Sequence, residues 1–137
     1  MTTEEYLEAR KSPLWNFNQI VDPHDFLNVR RIHPIKQKMV RDIVSAAKKD
    51  NAVRKIIIFG SSTRYDCDIS SDLDICIDWK EMCYDHYGVL QPFTKNMRKT
   101  ISSVTRGHAD VVNYGFLKDT SIENAVKNGV VVYEHNV

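Results

Sequence analysis

At 137 residues, with 42% hydrophobic and 27% charged side chains and a formal net charge of +1, the chain is sized for one globular domain with a core of its own. The near-neutral charge argues against a general nucleic-acid binder, and no apolar run approaches the ~20 residues needed to span a bilayer. Three cysteines, Cys67, Cys76 and Cys83, match neither a CxxC nor a zinc spacing and read as free thiols. The opening Met1-Thr2-Thr3-Glu4-Glu5-Tyr6 lacks the pattern of a signal peptide, so the expected compartment is the cytoplasm.

In chain order, residues 3–10 can form a short helix capped by Thr2 or Thr3. Pro13, Pro23 and Pro34 then punctuate an irregular stretch, and residues 1–33 read as an N-terminal arm ahead of a domain over 34–137. Trp15, Phe17 and Phe26 are expected to dock that arm on the core. From Pro34 the pattern turns helical: Ile35, Met39 and Ile43 repeat every four residues, flanked by Val40, Ala46 and Ala47, with Asp50-Asn51 as the stop. Lys55 to Phe59 is an apolar run ended by Gly60 and predicts a strand buried on both faces. Ser61 to Arg64 begins a helical turn. In Asp72 to Asp78, Leu73, Ile75 and Ile77 alternate with Asp72, Asp74, Cys76 and Asp78, the period of a strand with one carboxylate-rich face. A helix starting between His86 and Phe93 and ending near Val104, a strand over His108–Tyr114, a helix over Thr120–Lys127 closed by Asn128-Gly129, and a strand over Val130–Tyr133 complete an α/β domain around a mixed sheet.

Charge is unevenly spread along this plan. Between Arg30 and Lys55 nine basic residues face only Asp42 and Asp50, and this stretch reads as a solvated face. Between Asp66 and Asp85 seven acidic residues face only Lys80. Crowded carboxylates repel, and a bound divalent cation relieves them.

The chemistry is concentrated in two short segments. A strand that ends in Gly60-Ser61 and enters a helical turn presents backbone N–H groups and a hydroxyl to an oxyanion, with glycine allowing close approach. Asp72 and Asp74, two apart on a strand, point to one face, a pairing suited to a hard cation such as Mg²⁺. Gly-Ser turns are common, and an isolated Asp-x-Asp is ordinarily a solvated sheet face; here the pair follows the turn by twelve residues. Asp110, flanked by Ala109, Val111 and Val112, needs a partner or a metal if buried and is otherwise an edge-strand carboxylate facing water. Asp78, further along the same face, and His108, two residues before Asp110, are weaker candidates. Cys76 reads as a partly buried thiol, and Cys83 with His86 has a ligand spacing that no second pair supports.

Gly60-Ser61, then Ser71-Asp72-Leu73-Asp74, then Asp110 on a later strand together resemble the DNA polymerase β-type nucleotidyltransferase superfamily. The short form is similar to the minimal nucleotidyltransferases, which occur as antitoxin partners of HEPN-domain proteins. The likeness runs over roughly residues 35–134, including the ending Ile122 to Tyr133. The resemblance implies a nucleotidyltransferase fold, a mixed β-sheet flanked by helices in a single domain. It implies that Gly60 and Ser61, with Arg64, hold the triphosphate of ATP or another nucleoside triphosphate. It implies that Asp72 and Asp74 ligate Mg²⁺ and that Asp110 completes the triad and acts on the incoming hydroxyl. A HEPN-domain partner and a homo-oligomer are the associations it allows. Where many relatives carry a second glycine after Gly-Ser, this chain has Tyr65, followed by the acidic Asp66-Cys67-Asp68. The alternatives are a binding antitoxin with a vestigial site and a transferase of the aminoglycoside-modifying type.

Overall fold

The structure, a computed structural model, describes residues 16–50, 52–80, 82–84, 90–92 and 96–135. The helix expected over residues 3–10, Trp15 and His86 lie outside the described residues, as does the side chain of Cys83.

Helix α1 (Pro34–Lys48) begins where Pro34 supplies a preset φ and no N–H that would need a partner, and the His33 ring caps it by accepting from the Ile35 N–H at 3.2 Å. Strand β1 (Val53–Phe59) follows, then a 3-10 turn over Gly60–Thr63, strand β2 (Leu73–Trp79) and a two-stranded hairpin of β3 (Met82–Tyr84) and β4 (Leu90–Pro92). Helix α2 (Asn96–Thr105), strand β5 (Ala109–Asn113), a 3-10 turn over Tyr114–Phe116, helix α3 (Glu123–Lys127) and strand β6 (Val130–Glu134) complete the chain. The sequence reading places a helix start in the hairpin region; the backbone forms β3 and β4 there, and α2 begins at Asn96. Helix α3 also starts later than Thr120, because Thr120 is turned back onto the Leu117 carbonyl through both its N–H and its hydroxyl.

The sheet has the order β5-β2-β1-β6, with β1 antiparallel to both neighbours and β2 parallel to β5. It is therefore the mixed sheet expected of the nucleotidyltransferase fold. β1 is buried on both faces. Ile56 and Ile58 join Leu73, Ile75, Ile77 and Val130 in the main core under α1 and α2, while Ile57 and Phe59 join Cys76, Leu117 and Val126 on the opposite face. Each wholly buried aliphatic side chain contributes about 1.5–3 kcal/mol of transfer free energy, so the main core dominates stability. A register irregularity opposite Ile56 and Ile57 leaves Val132 as an extra residue, and Val132 and Tyr133 both reach the main core.

The buried stripe of α1 is rotated from the one the sequence predicts. Ile35 is exposed and Met39 half-buried, while Lys36, Gln37, Val40, Ile43, Val44 and Ala47 face inward. Two polar residues thus enter the interior, and each has a backbone partner. Gln37, wholly buried, accepts from the N–H groups of Ile20 (2.7 Å) and Val21 (3.4 Å) and donates to the carbonyls of Asn18 (2.7 Å) and Ile32 (3.0 Å). One amide therefore satisfies four groups of a segment that has little regular structure of its own. Phe17, Val21, Phe26, Val29 and Ile32 of that segment are buried, and Leu27 N–H and Asn28 Nδ2 donate to the Val132 and Val131 carbonyls, covering the β6 edge.

Gln37→Leu keeps the volume and strands four backbone groups. It should destabilise the fold by about 2–4 kcal/mol in urea unfolding. A loss below about 1 kcal/mol would mean that water replaces the amide.

Candidate active site

The site is built where β1 ends and β2 and β5 begin. β1 delivers the chain to Gly60, whose φ of +73° lies in the left-handed region. That conformation favours glycine, and a Cβ at Gly60 would in addition overlap the Asp74 carboxylate oxygen Oδ2 and force that side chain to move. Asp74 comes from β2, directly opposite Phe59 in the ladder, so its side chain stands against the bare Cα of the turn. The first N–H groups of the 3-10 turn have no acceptor within it, and Ser61 adds a half-buried hydroxyl beside them. Thr63 closes the turn by donating its hydroxyl to the Gly60 carbonyl at 2.8 Å.

Asp110 reaches the same point by strand register. β5 lies parallel to β2 with Asp110 paired to Asp74, which puts both side chains on one face of adjacent strands. Asp74 and Asp110 are therefore neighbours, and Asp72 adds a third charge nearby. Burial first, then the charges of Asp110 and Asp72, raise the Asp74 carboxyl above its ordinary value of 3.8, while Arg64 opposes them. Three sequence-predicted carboxylates and the predicted arginine therefore act on one point. Arg64 itself is exposed and pairs with Asp66 at 3.4 Å.

Asp72 is the outlying member. Half exposed, it is turned toward His108, with Oδ1 3.6 Å from Nδ1 of that exposed ring. Among the described residues no three His, Cys, Asp or Glu side chains are closed together tightly enough to hold a metal as they stand. The donor set is nevertheless of the right chemistry for Mg²⁺: carboxylate oxygens, crowded enough to raise one pKa, beside a cradle that any side chain at Gly60 would fill. Of the acidic residues after Tyr65, Asp68 is engaged locally, accepting from the Ser70 N–H (2.9 Å) and hydroxyl (2.6 Å). Those bonds hold its carboxyl below its usual range. Tyr65 is 40% exposed.

The lesser candidates separate clearly. Asp78 stands at the far end of β2 opposite Lys55. Cys76 is wholly rather than partly buried, because residues 117 to 126 cover this part of the sheet, and burial pushes its thiol up to about 12. Sequence reasoning passed over two features of the region. One is Lys36, buried in α1 with its Nζ donating to the carbonyl of Ser71, the residue before Asp72. The other is a cleft of about 410 Å³ on the carboxylate face, lined by Lys55, Ile57, Tyr114, Lys118, Glu123 and Lys127 among others. A basic residue on an apolar helical face was the available signal for the first; the second depends on how residues 114–127 fold back and has none.

Gly60→Ala should destabilise the fold by about 1–3 kcal/mol, through left-handed strain and the displaced carboxylate. In a double-mutant cycle with Asp74→Ala the two losses should fall short of additive. Asp74 gives a pH test. A carboxyl raised in the folded state favours folding fully below its unfolded value and loses that contribution as pH rises through the folded value. Metal-free Asp74→Asn should therefore be more stable than wild type at about pH 7, with the difference closing toward pH 3.8, as read from urea midpoints. A pH-independent difference would rule out charge crowding as its cause.

The family model described as "Polymerase beta, Nucleotidyltransferase" matches residues 41–137. A crystal structure of a nucleotidyltransferase candidate from Sulfolobus solfataricus is similar at 25% identity and a TM-score of 0.41, over 72% of this chain and 79% of that one. No curated protein matches. With the family match covering most of the chain, the protein belongs to the polymerase β-type nucleotidyltransferase family.

Proposed function

We propose that the protein transfers a nucleoside monophosphate, AMP from ATP, to a hydroxyl carried by a second molecule, and that this molecule is a HEPN-domain partner which the chain serves as antitoxin. The observation that carries the reading is the pairing of Asp110 with Asp74 across parallel strands, beside the left-handed turn at Gly60.

In this mechanism the Gly60–Ser61 turn binds the triphosphate through backbone N–H groups and the Ser61 hydroxyl, and Arg64 adds positive charge. Asp72, Asp74 and Asp110 would hold Mg²⁺, which supplies charge neutralisation at the attacking and leaving oxygens. Asp110 accepts the proton of the incoming hydroxyl. The hydroxyl oxygen bonds to the α-phosphorus as the bond to pyrophosphate breaks, and pyrophosphate leaves. Arg64, exposed and loosely paired to Asp66, is free to turn to phosphate.

A cleft on the same face of the sheet, toward its Lys55–Asp78 end, bears on the acceptor. Its lining carries Lys55, Lys118 and Lys127 against Glu123, with the Lys55 ammonium 5.5 Å from the centre of the Tyr114 ring. Such a lining repels a polycationic aminoglycoside and suits a neutral or acidic acceptor surface. One observation favours the reading of a non-catalytic antitoxin instead: Asp72 faces His108 rather than closing on Asp74 and Asp110.

The test is titration calorimetry with ATP, with and without Mg²⁺, followed by transfer of label from α-labelled ATP to a HEPN-domain protein. Asp72→Asn/Asp74→Asn should lose Mg²⁺-dependent binding and reduce transfer on the order of 10²–10³-fold or more. Transfer unaffected by the double substitution would exclude the mechanism. Full neutralisation of the partner by that variant would move the conclusion to the non-catalytic antitoxin.

A further inference from the structure

Lys36 is the only charged residue among those described that is buried, at 3% exposure. Its position is unfavourable twice over. It lies in the first turn of α1, where the helix dipole disfavours a cation, and it carries an ammonium out of water. Among the described residues no carboxylate forms an ion pair with it. Its Nζ donates to the carbonyl of Ser71.

That carbonyl occupies a particular place. The loop before β2 is folded on Asp68: Ser71 N–H donates to the Asp68 carbonyl at 3.1 Å, and the Ser71 hydroxyl accepts from Asp68 N–H at 3.1 Å. Beyond it, Leu73 N–H donates to the His108 carbonyl at 2.9 Å. Asp72 is thus held on both sides, by Lys36 through Ser71 and by β5 through Leu73. The same turn of α1 reaches the phosphate side, since His33 N–H donates to the Ser62 carbonyl at 2.8 Å within the Gly60–Thr63 turn. The start of α1 therefore grips both halves of the site, and Lys36 is its grip on the carboxylate half.

We propose that Lys36 is a positioning residue for metal–nucleotide binding: its buried ammonium fixes the Ser71 carbonyl and so sets Asp72 relative to Asp74 and the Gly60 turn. What the position is used for rests on the nucleotidyltransferase reading; the tether itself does not.

Hydrogen exchange by NMR and binding of Mn²⁺ with ATP should be measured on wild type, Lys36→Met and Lys36→Arg, well below their unfolding temperatures. Lys36→Met keeps the length without the charge. It should retain the protection of the sheet amides and speed exchange at residues 68–73 by about tenfold or more. It should also weaken Mn²⁺-dependent ATP binding by about tenfold or more, and Lys36→Arg should recover part of both. A merely structural lysine would lower the melting temperature and leave the affinity of the folded protein unchanged. Unchanged exchange in folded Lys36→Met overturns the tether, and faster exchange with unchanged binding overturns the positioning role. If wild type binds no Mn²⁺ with ATP, the nucleotidyltransferase reading falls and takes that role with it, while the exchange data still uphold or overturn the tether. If Lys36→Met does not fold, ¹⁵N spectra of wild-type lysine side chains decide. One ammonium protected from exchange and coupled to the Ser71 carbonyl carbon upholds the tether; its absence overturns it.

Discussion

The contact between a carboxylate and a missing side chain organises this molecule. Asp74 stands where the Cβ of any other residue at position 60 would be, and the left-handed backbone of Gly60 turns the chain sharply at that point. The Gly60 turn and the carboxylate strand can approach this closely because no side chain lies between them. The arrangement carries a cost, since Asp74 is partly removed from water with Asp110 and Asp72 beside it. Like charges crowded in this way are relieved by a nearby cation.

Rigid surroundings are needed to hold like charges together, and α1 provides much of that rigidity. Its buried face is not purely apolar: Gln37 gathers four backbone groups of the preceding segment, and Lys36 holds the loop that leads into Asp72. Hydrophobic contacts alone specify depth of burial and leave lateral position loosely defined. Directional bonds from two successive helical residues remove that freedom, one on the N-terminal segment and one on the site. The segment over residues 16–33 is accordingly part of the packed structure, with its own apolar side chains in the core and its backbone covering the β6 edge.

The two faces of the sheet divide the labour. One is closed by α1 and α2 over a continuous aliphatic core. The other is covered by residues 114–127 over Ile57, Phe59 and Cys76, and is open at the carboxylates and along the lysine-lined cleft.

The sequence by itself determined the four strands of the main sheet. Periodicity identified β1, β2, β5 and β6 because a strand's apolar pattern reports which faces are buried, and β1 is buried on both. Gly60-Ser61 and Asp72-x-Asp74 were legible because the constraint is local: a left-handed turn requires glycine, and residues two apart on a strand share a face. The hairpin of β3 and β4 was not legible, since its pairing is set by partner backbone rather than by an apolar period. The face of α1 was misplaced by one position because Lys36 and Gln37 look solvent-facing until their backbone partners, 35 residues away at Ser71 and 19 away at Asn18, are in view. The convergence of Asp110 on Asp74 likewise came only with the parallel register of β5 on β2, a pairing between distant segments that no local pattern encodes. Local stereochemistry wrote the parts into the sequence; long-range hydrogen bonding decided where they meet.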